Sequence, residues 1–356
     1  MQKIKGELLK DKIIVTKPRD VGRLYGKSRF GKTIKNNKLM INLIEGVFLL
    51  EEEKIKLFEK EKEINFEYLL KKSILTIPNF EIKYIVLRDL RKKGYIIQTY
   101  EDDNNFDFII LKNKNNLNEE NINYFVSVFS ERDTIDVKKI KLFIDKANDK
   151  KGILWFSIVD EEGDITYYEI SINNLKGENL EKKYQKTNSI LMENRVLILN
   201  DKTSKKLFEE EFYGKPFGKG LQISMVEALY LLNKDFLKIE KINNEKITEF
   251  KLFKKYIKIK QPDIDLRFNI YKDLKKRGLI VKTGFKFGTH FRAYSKKPNI
   301  THAEYLIQVV NKNFKSIWSD FSRAIRLAHS VNKEIIFAVH YNKKKIDYIK
   351  LGRLRP

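Results

Sequence analysis

The chain of 356 residues contains no cysteine. Disulfides, thiolate metal sites and a thiol nucleophile are therefore excluded together, and a cytoplasmic location is the default expectation. No run approaches the roughly 18 consecutive apolar residues that a membrane-spanning helix requires. The first residues, Met1 to Lys10, carry charges every few positions where a signal peptide would be apolar. Acidic residues are in deficit, 48 Asp and Glu against 72 Lys and Arg. The resulting net charge of +24 is the footprint of a chain that meets phosphate, with a general basic composition as the bland alternative. Histidine is scarce too: the four are His290, His302, His329 and His340, and the first 289 residues have none. A P-loop, a dinucleotide fingerprint and zinc-ligand spacing are also missing, so neither metal nor cofactor is expected.

What is present suffices for folded cores. Hydrophobic residues make up 42% of the chain, and its length suggests two or three domains at about 100 to 200 residues each. The sequence also repeats itself. Val86 to Thr99 (VLRDLRKKGYIIQT) aligns on Ile270 to Thr283 (IYKDLKKRGLIVKT) at an offset of 184, and Ile41 to Leu50 on Ile223 to Leu232 at 182. Tyr25-Gly-Lys is read against Tyr213-Gly-Lys, which leaves an insertion in Lys27 to Lys38 of the first copy. Order and spacing agree, so the chain is a tandem duplication.

Each copy follows one plan. A first helix is announced by Ser224-Met-Val-Glu227, a capping-box pattern, and more weakly by Asn42-Leu-Ile-Glu45. A second helix places Ile264, Phe268, Tyr271 and Leu274, or Phe80, Tyr84, Leu87 and Leu90, on one face. It ends at Gly278 or Gly94, where a positive φ is cheap only for glycine. Short β-branched strands follow, and in the second copy a last helix through Phe321 and Ala328 leads into a strand over 335–339. The fold expected is α+β, with an N-terminal α/β subdomain and a C-terminal nuclease-like subdomain with a mixed sheet in each repeat. The boundaries read are 1–75, 76–186, 187–258 and 259–356, the first repeat being degenerate.

Three ordered blocks in the second copy give this plan a chemistry. They are Tyr271 through Gly-Phe-Lys-Phe-Gly-Thr-His-Phe-Arg-Ala to Tyr294, then His302-Ala-Glu-Tyr-Leu306, then Arg326-Leu-Ala-His-Ser-Val-Asn-Lys333. Together they resemble the catalytic domain of the archaeal tRNA-splicing endonuclease. The Tyr213 to Leu232 block resembles that family's N-terminal domain, and the duplication resembles its fused form, in which two chains make the enzyme. The resemblance implies a metal-independent endoribonuclease that excises introns from precursor tRNA at bulge–helix–bulge junctions, leaving 2′,3′-cyclic phosphate and 5′-OH ends. It assigns Tyr294 as general base, His302 as general acid and Lys333 as the cation that offsets phosphoryl charge. These are the three tasks that 2′-OH attack sets.

The first copy lacks this set. Leu111 falls opposite Tyr294, Asn121 opposite His302 and Lys151 roughly opposite Lys333, so each chain holds one catalytic set and two cuts imply a homodimer. The turn Val159-Asp-Glu-Glu-Gly-Asp-Ile165 is acidic, whereas its counterpart reads His340-Tyr-Asn-Lys-Lys-Lys345. The resemblance makes Asp160, Glu161, Glu162 and Asp164 candidates for docking on a catalytic unit, which charge complementarity favours. It also makes Arg326 and Arg353 candidates for stacking on a bulged RNA base, although Arg355 could replace Arg353. His329 reads as a helix-end residue, and His290 and His340 carry no assignment.

Two rival readings stand beside this one. A non-catalytic RNA-binding or structural subunit would share the charge and the degenerate half. A metal-dependent nuclease of the restriction type would use Pro78-Asn-Phe-Glu-Ile-Lys83, which lacks an upstream acidic partner and reads as a helix start.

Overall fold

A computed structural model describes residues 3–112, 122–179, 182, 185–243, 246–247, 249–342 and 345–356. The chain forms two compact units. The first comprises Met1–Ser171 with Lys315–Phe321 and Arg353–Pro356, and the second Ile172–Phe314 with Ser322–Gly352.

Each unit begins with a six-stranded sheet of the same strand order. In the first unit the order is Lys32–Ile34, Lys38–Asn42, Lys12–Val15, Ile4–Leu9, Ile55–Glu59 and Lys62–Ile64. In the second it is Lys215–Phe217, Gly220–Ser224, Arg195–Ile198, Thr187–Leu191, Leu237–Glu240 and Lys246–Ile247. One pair in each sheet is parallel, Ile4–Leu9 with Ile55–Glu59 and Thr187–Leu191 with Leu237–Glu240, and so needs a crossover. The capped helices precede the second strand of that pair. Leu43–Glu51 starts where the Asn42 side chain accepts the Glu45 N–H, and Met225–Asn233 starts at a complete Ser224–Glu227 capping box. Ser224→Ala should therefore lower the stability of the second unit by about 1 kcal/mol in urea unfolding, and a loss below about 0.3 kcal/mol would show that the cap is redundant there.

The expected second helices run over Phe80–Lys92 and Ile264–Lys276, and Gly94 and Gly278 follow them at φ of 91° and 80°. The Pro78 to Lys83 stretch thus enters a helix. Preceding helices, Phe66–Thr76 and Phe250–Lys260, were not evident from the repeat pattern. A mixed sheet follows in each unit. In the second its strands are, in order, Ile280–Thr283, Phe291–Tyr294, Tyr305–Asn311, Glu334–Asn342 and Lys345–Leu354. In the first, Ile97–Thr99, Phe108–Leu111, Ile122–Ser130, Ile153–Val159 and Ile165–Ile172 repeat the arrangement. The fold is α+β with a tandem repeat.

The structure corrects one part of the repeat alignment. Lys32 pairs with Met40 and Lys215 with Gln222, so Phe30-Gly31-Lys32 corresponds to Tyr213-Gly214-Lys215. Tyr25-Gly-Lys lies instead in the helical turn Gly22–Lys27, and the extra length in 27–38 shrinks to one turn residue. The correspondence extends to buried polar groups. The Gly31 N–H reaches the Glu45 carboxylate and the Gly214 N–H that of Glu227. Gln98 Nε2 donates to the Arg29 and Gly31 carbonyls, and Lys282 Nζ to those of Phe212 and Gly214. Arg91, near Glu45 at 3.6 Å, and Lys275, near Glu211 at 3.8 Å, complete two buried networks that tie each N-terminal sheet to its mixed sheet.

The first unit is closed by residues from the second repeat. Lys315–Ile317 pairs antiparallel with Thr134–Asp136, and Trp318 lies fully buried among Phe129, Phe156 and Tyr168. No helix among the described residues is long and apolar enough to cross a membrane.

Candidate active site

Strand register assembles the site. Ala293 pairs with Tyr305, and Tyr305 with Glu334, so these residues form one row across three strands. The row is closed by the Glu304 N–H on the Ala293 carbonyl at 3.2 Å and the Glu334 N–H on the Glu304 carbonyl at 2.9 Å. One step outward at the same sheet edge come Tyr294, the 301–304 segment carrying His302, and Lys333. With neighbouring strands about 4.8 Å apart, the Tyr294 and Lys333 backbones stand roughly 10 Å apart, with the His302 segment between them.

Each side chain has a local reason to be there. Tyr294 ends its strand, almost fully buried against Ile280, Ala303 and Phe212. The Glu304 carboxylate accepts the Ser295 N–H at 2.7 Å and its hydroxyl at 2.6 Å, which clamps the residue after Tyr294 to the His302 segment. His302 itself is exposed. Lys333 follows the helix Trp318–Ser330, whose end is turned by Asn332 at φ 53° with the Lys333 N–H on the Ala328 carbonyl. Asn tolerates this left-handed conformation better than most residues, which accounts for an asparagine at 332. The Lys333 ammonium lies 5.6 Å from the Phe287 ring and donates to the Val331 carbonyl.

The degenerate repeat is emptier than the sequence suggested. Leu111 does occupy the Tyr294 position, since Phe108 to Ile110 pair with Val126 to Tyr124 as Phe291 to Ala293 pair with Ile307 to Tyr305, and Leu111, where the ladder shifts, follows Ile110 as Tyr294 follows Ala293. Asn121 lies outside the described residues. Lys151 is not the counterpart of Lys333. It takes the left-handed φ of 57° that Asn332 takes, and Gly152 donates its N–H to Ala147 as Lys333 does to Ala328. Gly152 is therefore the counterpart, and a side chain there would meet the Phe125 ring at 2.5 Å.

His290 and His340 prove to be packing residues. The His290 Nδ1 accepts the Val309 N–H at 3.1 Å, which puts its proton on Nε2, 3.6 Å from Asp263. Asp107 holds the Val128 N–H in the same way in the first repeat. His340 Nε2 contacts Asn269. Burial and then the Arg267 charge hold His290 below its ordinary pKa, and burial does the same for His340. The folded state thus favours neutral imidazole. The stability it contributes is complete above the unfolded value of about 6.5 and is lost as pH falls below it. His290→Gln should flatten the decline in second-unit unfolding free energy between pH 7.5 and 5.5, and an unchanged decline would disprove the assignment. His329 is exposed in the last helical turn.

Arg326 is exposed on the same helix that leads to Lys333, whereas Arg353 is exposed in the segment that belongs to the first unit. The acidic turn joins Ile153–Val159 to Ile165–Ile172, also in the first unit. Its four carboxylates differ. Asp160 accepts the Glu162 and Asp164 N–H groups and so shapes the turn, and Glu161 pairs with Arg132. Glu162 and Asp164 are exposed.

Comparison with known proteins gives the family. The model of the tRNA intron endonuclease catalytic C-terminal domain matches residues 80–167 and 264–348, and that of its N-terminal domain matches 4–70 and 188–253. A tRNA-splicing endonuclease of Methanococcoides burtonii is 35% identical over 358 residues, 99% of this chain and 100% of the relative. The chain belongs to the tRNA intron endonuclease family. The Methanosarcina barkeri tRNA-splicing endonuclease is 32% identical over 99% of this chain and 100% of its own length. That of Methanothermobacter thermautotrophicus is 34% identical over 164 residues, 45% of this chain but 94% of its own. Within the family this chain is thus a fused, two-repeat form.

Proposed function

We propose that the chain is a tRNA-splicing endoribonuclease cutting precursor tRNA at bulge–helix–bulge junctions, with domains 1–75, 76–186, 187–258 and 259–356. Family membership supports intron excision. The observation that carries the mechanism is the row of strand ends where Tyr294, His302 and Lys333 share one sheet edge. Tyr294 takes the proton of the ribose 2′-OH, whose oxygen attacks the adjacent 3′-phosphate. His302 protonates the departing 5′ oxygen, and Lys333 offsets charge on the phosphoryl oxygens. The products are a 2′,3′-cyclic phosphate and a 5′-OH, and no metal enters the scheme. Unstacked bulge nucleotides expose their 2′-OH and reach in-line geometry, and Arg326 and Arg353 stack on a bulged base.

Leu111 and Gly152 leave the first repeat without base or cation, so two cuts require two chains. The homodimer is held in part by Glu162 and Asp164, whose exposed carboxylates are the ones in the acidic turn that neither shape it nor pair with Arg132.

The test is cleavage of a short bulge–helix–bulge RNA in excess chelator, with end-group analysis. Cyclic phosphate and 5′-OH ends are expected. A 3′-OH with a 5′-phosphate, or activity lost to the chelator, would overturn the mechanism. RNA binding without cutting would make the chain a structural subunit.

A further inference from the structure

Arg292 is a cation that the mechanism above does not use. Strand alternation sends Phe291 and Ala293 into the main core of the second unit and Arg292 and Tyr294 to the opposite face. The guanidinium carbon lies 5.9 Å from the Tyr294 ring centroid. Arg292 is only half-buried, yet its Nε is buried and has no hydrogen-bond partner, and no carboxylate pairs with it among the described residues. Its neighbour across the strand pair is Lys282, a second cation. Lys282 is compensated by the Phe212 and Gly214 carbonyls and by Glu227 at 4.0 Å. Arg292 has no such compensation. A buried charged donor left unpaired is destabilising and needs an explanation.

The degenerate repeat supplies a control. Ile109 stands at the Arg292 position, between Phe108 and Ile110, just as Leu111 stands at that of Tyr294. At this position, therefore, the repeat that lacks the tyrosine also lacks the guanidinium.

We propose that Arg292 is a phosphate-binding residue of the active site, gripping non-bridging oxygens of an RNA backbone phosphate beside Tyr294. The fork of a guanidinium matches two phosphate oxygens, and the RNA supplies the anion that the protein lacks at this point. Lys333 sits two strands away, so the two cations address the backbone from different sides of the tyrosine. This inference rests on the nuclease reading of the site, and its test separates the two.

Binding of an uncleaved bulge–helix–bulge RNA is measured by fluorescence anisotropy against salt, in the His302→Ala background with and without Arg292→Gln. Loss of one phosphate contact should lower the slope of log affinity against log salt by about 0.7 to 0.9. In the otherwise native chain, Arg292→Gln should lower kcat/KM by about tenfold or more, as expected for loss of a charge-assisted contact. Arg292→Lys should keep the salt slope and recover only part of the rate, because the charge remains and the fork does not. If the native chain cleaves as proposed while Arg292→Gln alters neither slope nor rate, the Arg292 assignment fails alone. If the native chain does not cleave but the slope still falls, the nuclease reading fails and the phosphate contact stands. Should Arg292→Gln not fold, the lysine variant decides, and full native activity in it would overturn the bidentate grip.

Discussion

His302→Ala is expected to slow RNA cleavage by about 10²- to 10⁴-fold, the range for loss of a general acid, while RNA affinity stays unchanged. The side chain is exposed, so no core contact is lost with it. A rate within about tenfold of the native chain would remove His302 from the mechanism. The role can be tested more sharply with a substrate whose 5′ bridging oxygen is replaced by sulfur. A thiolate leaves without protonation, so this RNA should be cut by the His302→Ala variant at a rate near that of the native chain. Tyr294→Phe, which removes a base and not an acid, should show no such rescue.

Trp318→Ala should destabilise the first unit by about 3 to 5 kcal/mol, the usual loss for a fully buried aromatic. The indole stacks on Tyr168 at 6.2 Å and meets Phe129, Phe156 and Phe321 at 5.4 to 5.6 Å. A lost transition attributable to the first unit in urea unfolding, followed through its remaining tryptophan Trp155, would be the readout. A loss below about 1 kcal/mol would mean that the surrounding rings close over the gap. A fragment comprising residues 1–186 should show a comparable deficit, because it lacks the same side chain and the strand before it.

Much of this was legible in the sequence because the signals are local. The Ser224–Glu227 box, the Asn42 cap and the glycines at 94 and 278 each fix a helix end within four residues. The ordered blocks around Tyr294, His302 and Lys333 were equally readable. Their meeting at one edge was not, because it depends on the Ala293–Tyr305–Glu334 row, and strand register is a long-range property. The same limit explains the two misaligned positions. Tyr25 and Lys151 match by residue type, but hydrogen bonds place Phe30 and Gly152 in those roles. Glu45 and Glu227 were visible as lone carboxylates inside apolar helices, LIEGVFLL and MVEALYLL. Their further use, holding the Gly31 and Gly214 amides, appears only when the sheets are in place.

The borrowed tryptophan also orders events during synthesis. Phe129, Phe156 and Tyr168 leave the ribosome early, yet the side chain that caps them arrives about 150 residues later. At about 5 to 20 residues per second, this is a delay of roughly 8 to 30 seconds. For that interval the older repeat presents an open aromatic face to the cell, and nascent-chain chaperones have their clearest target there. The repeat made first thus waits for a piece of the second, and a pause in translation between residues 171 and 315 would lengthen its exposure.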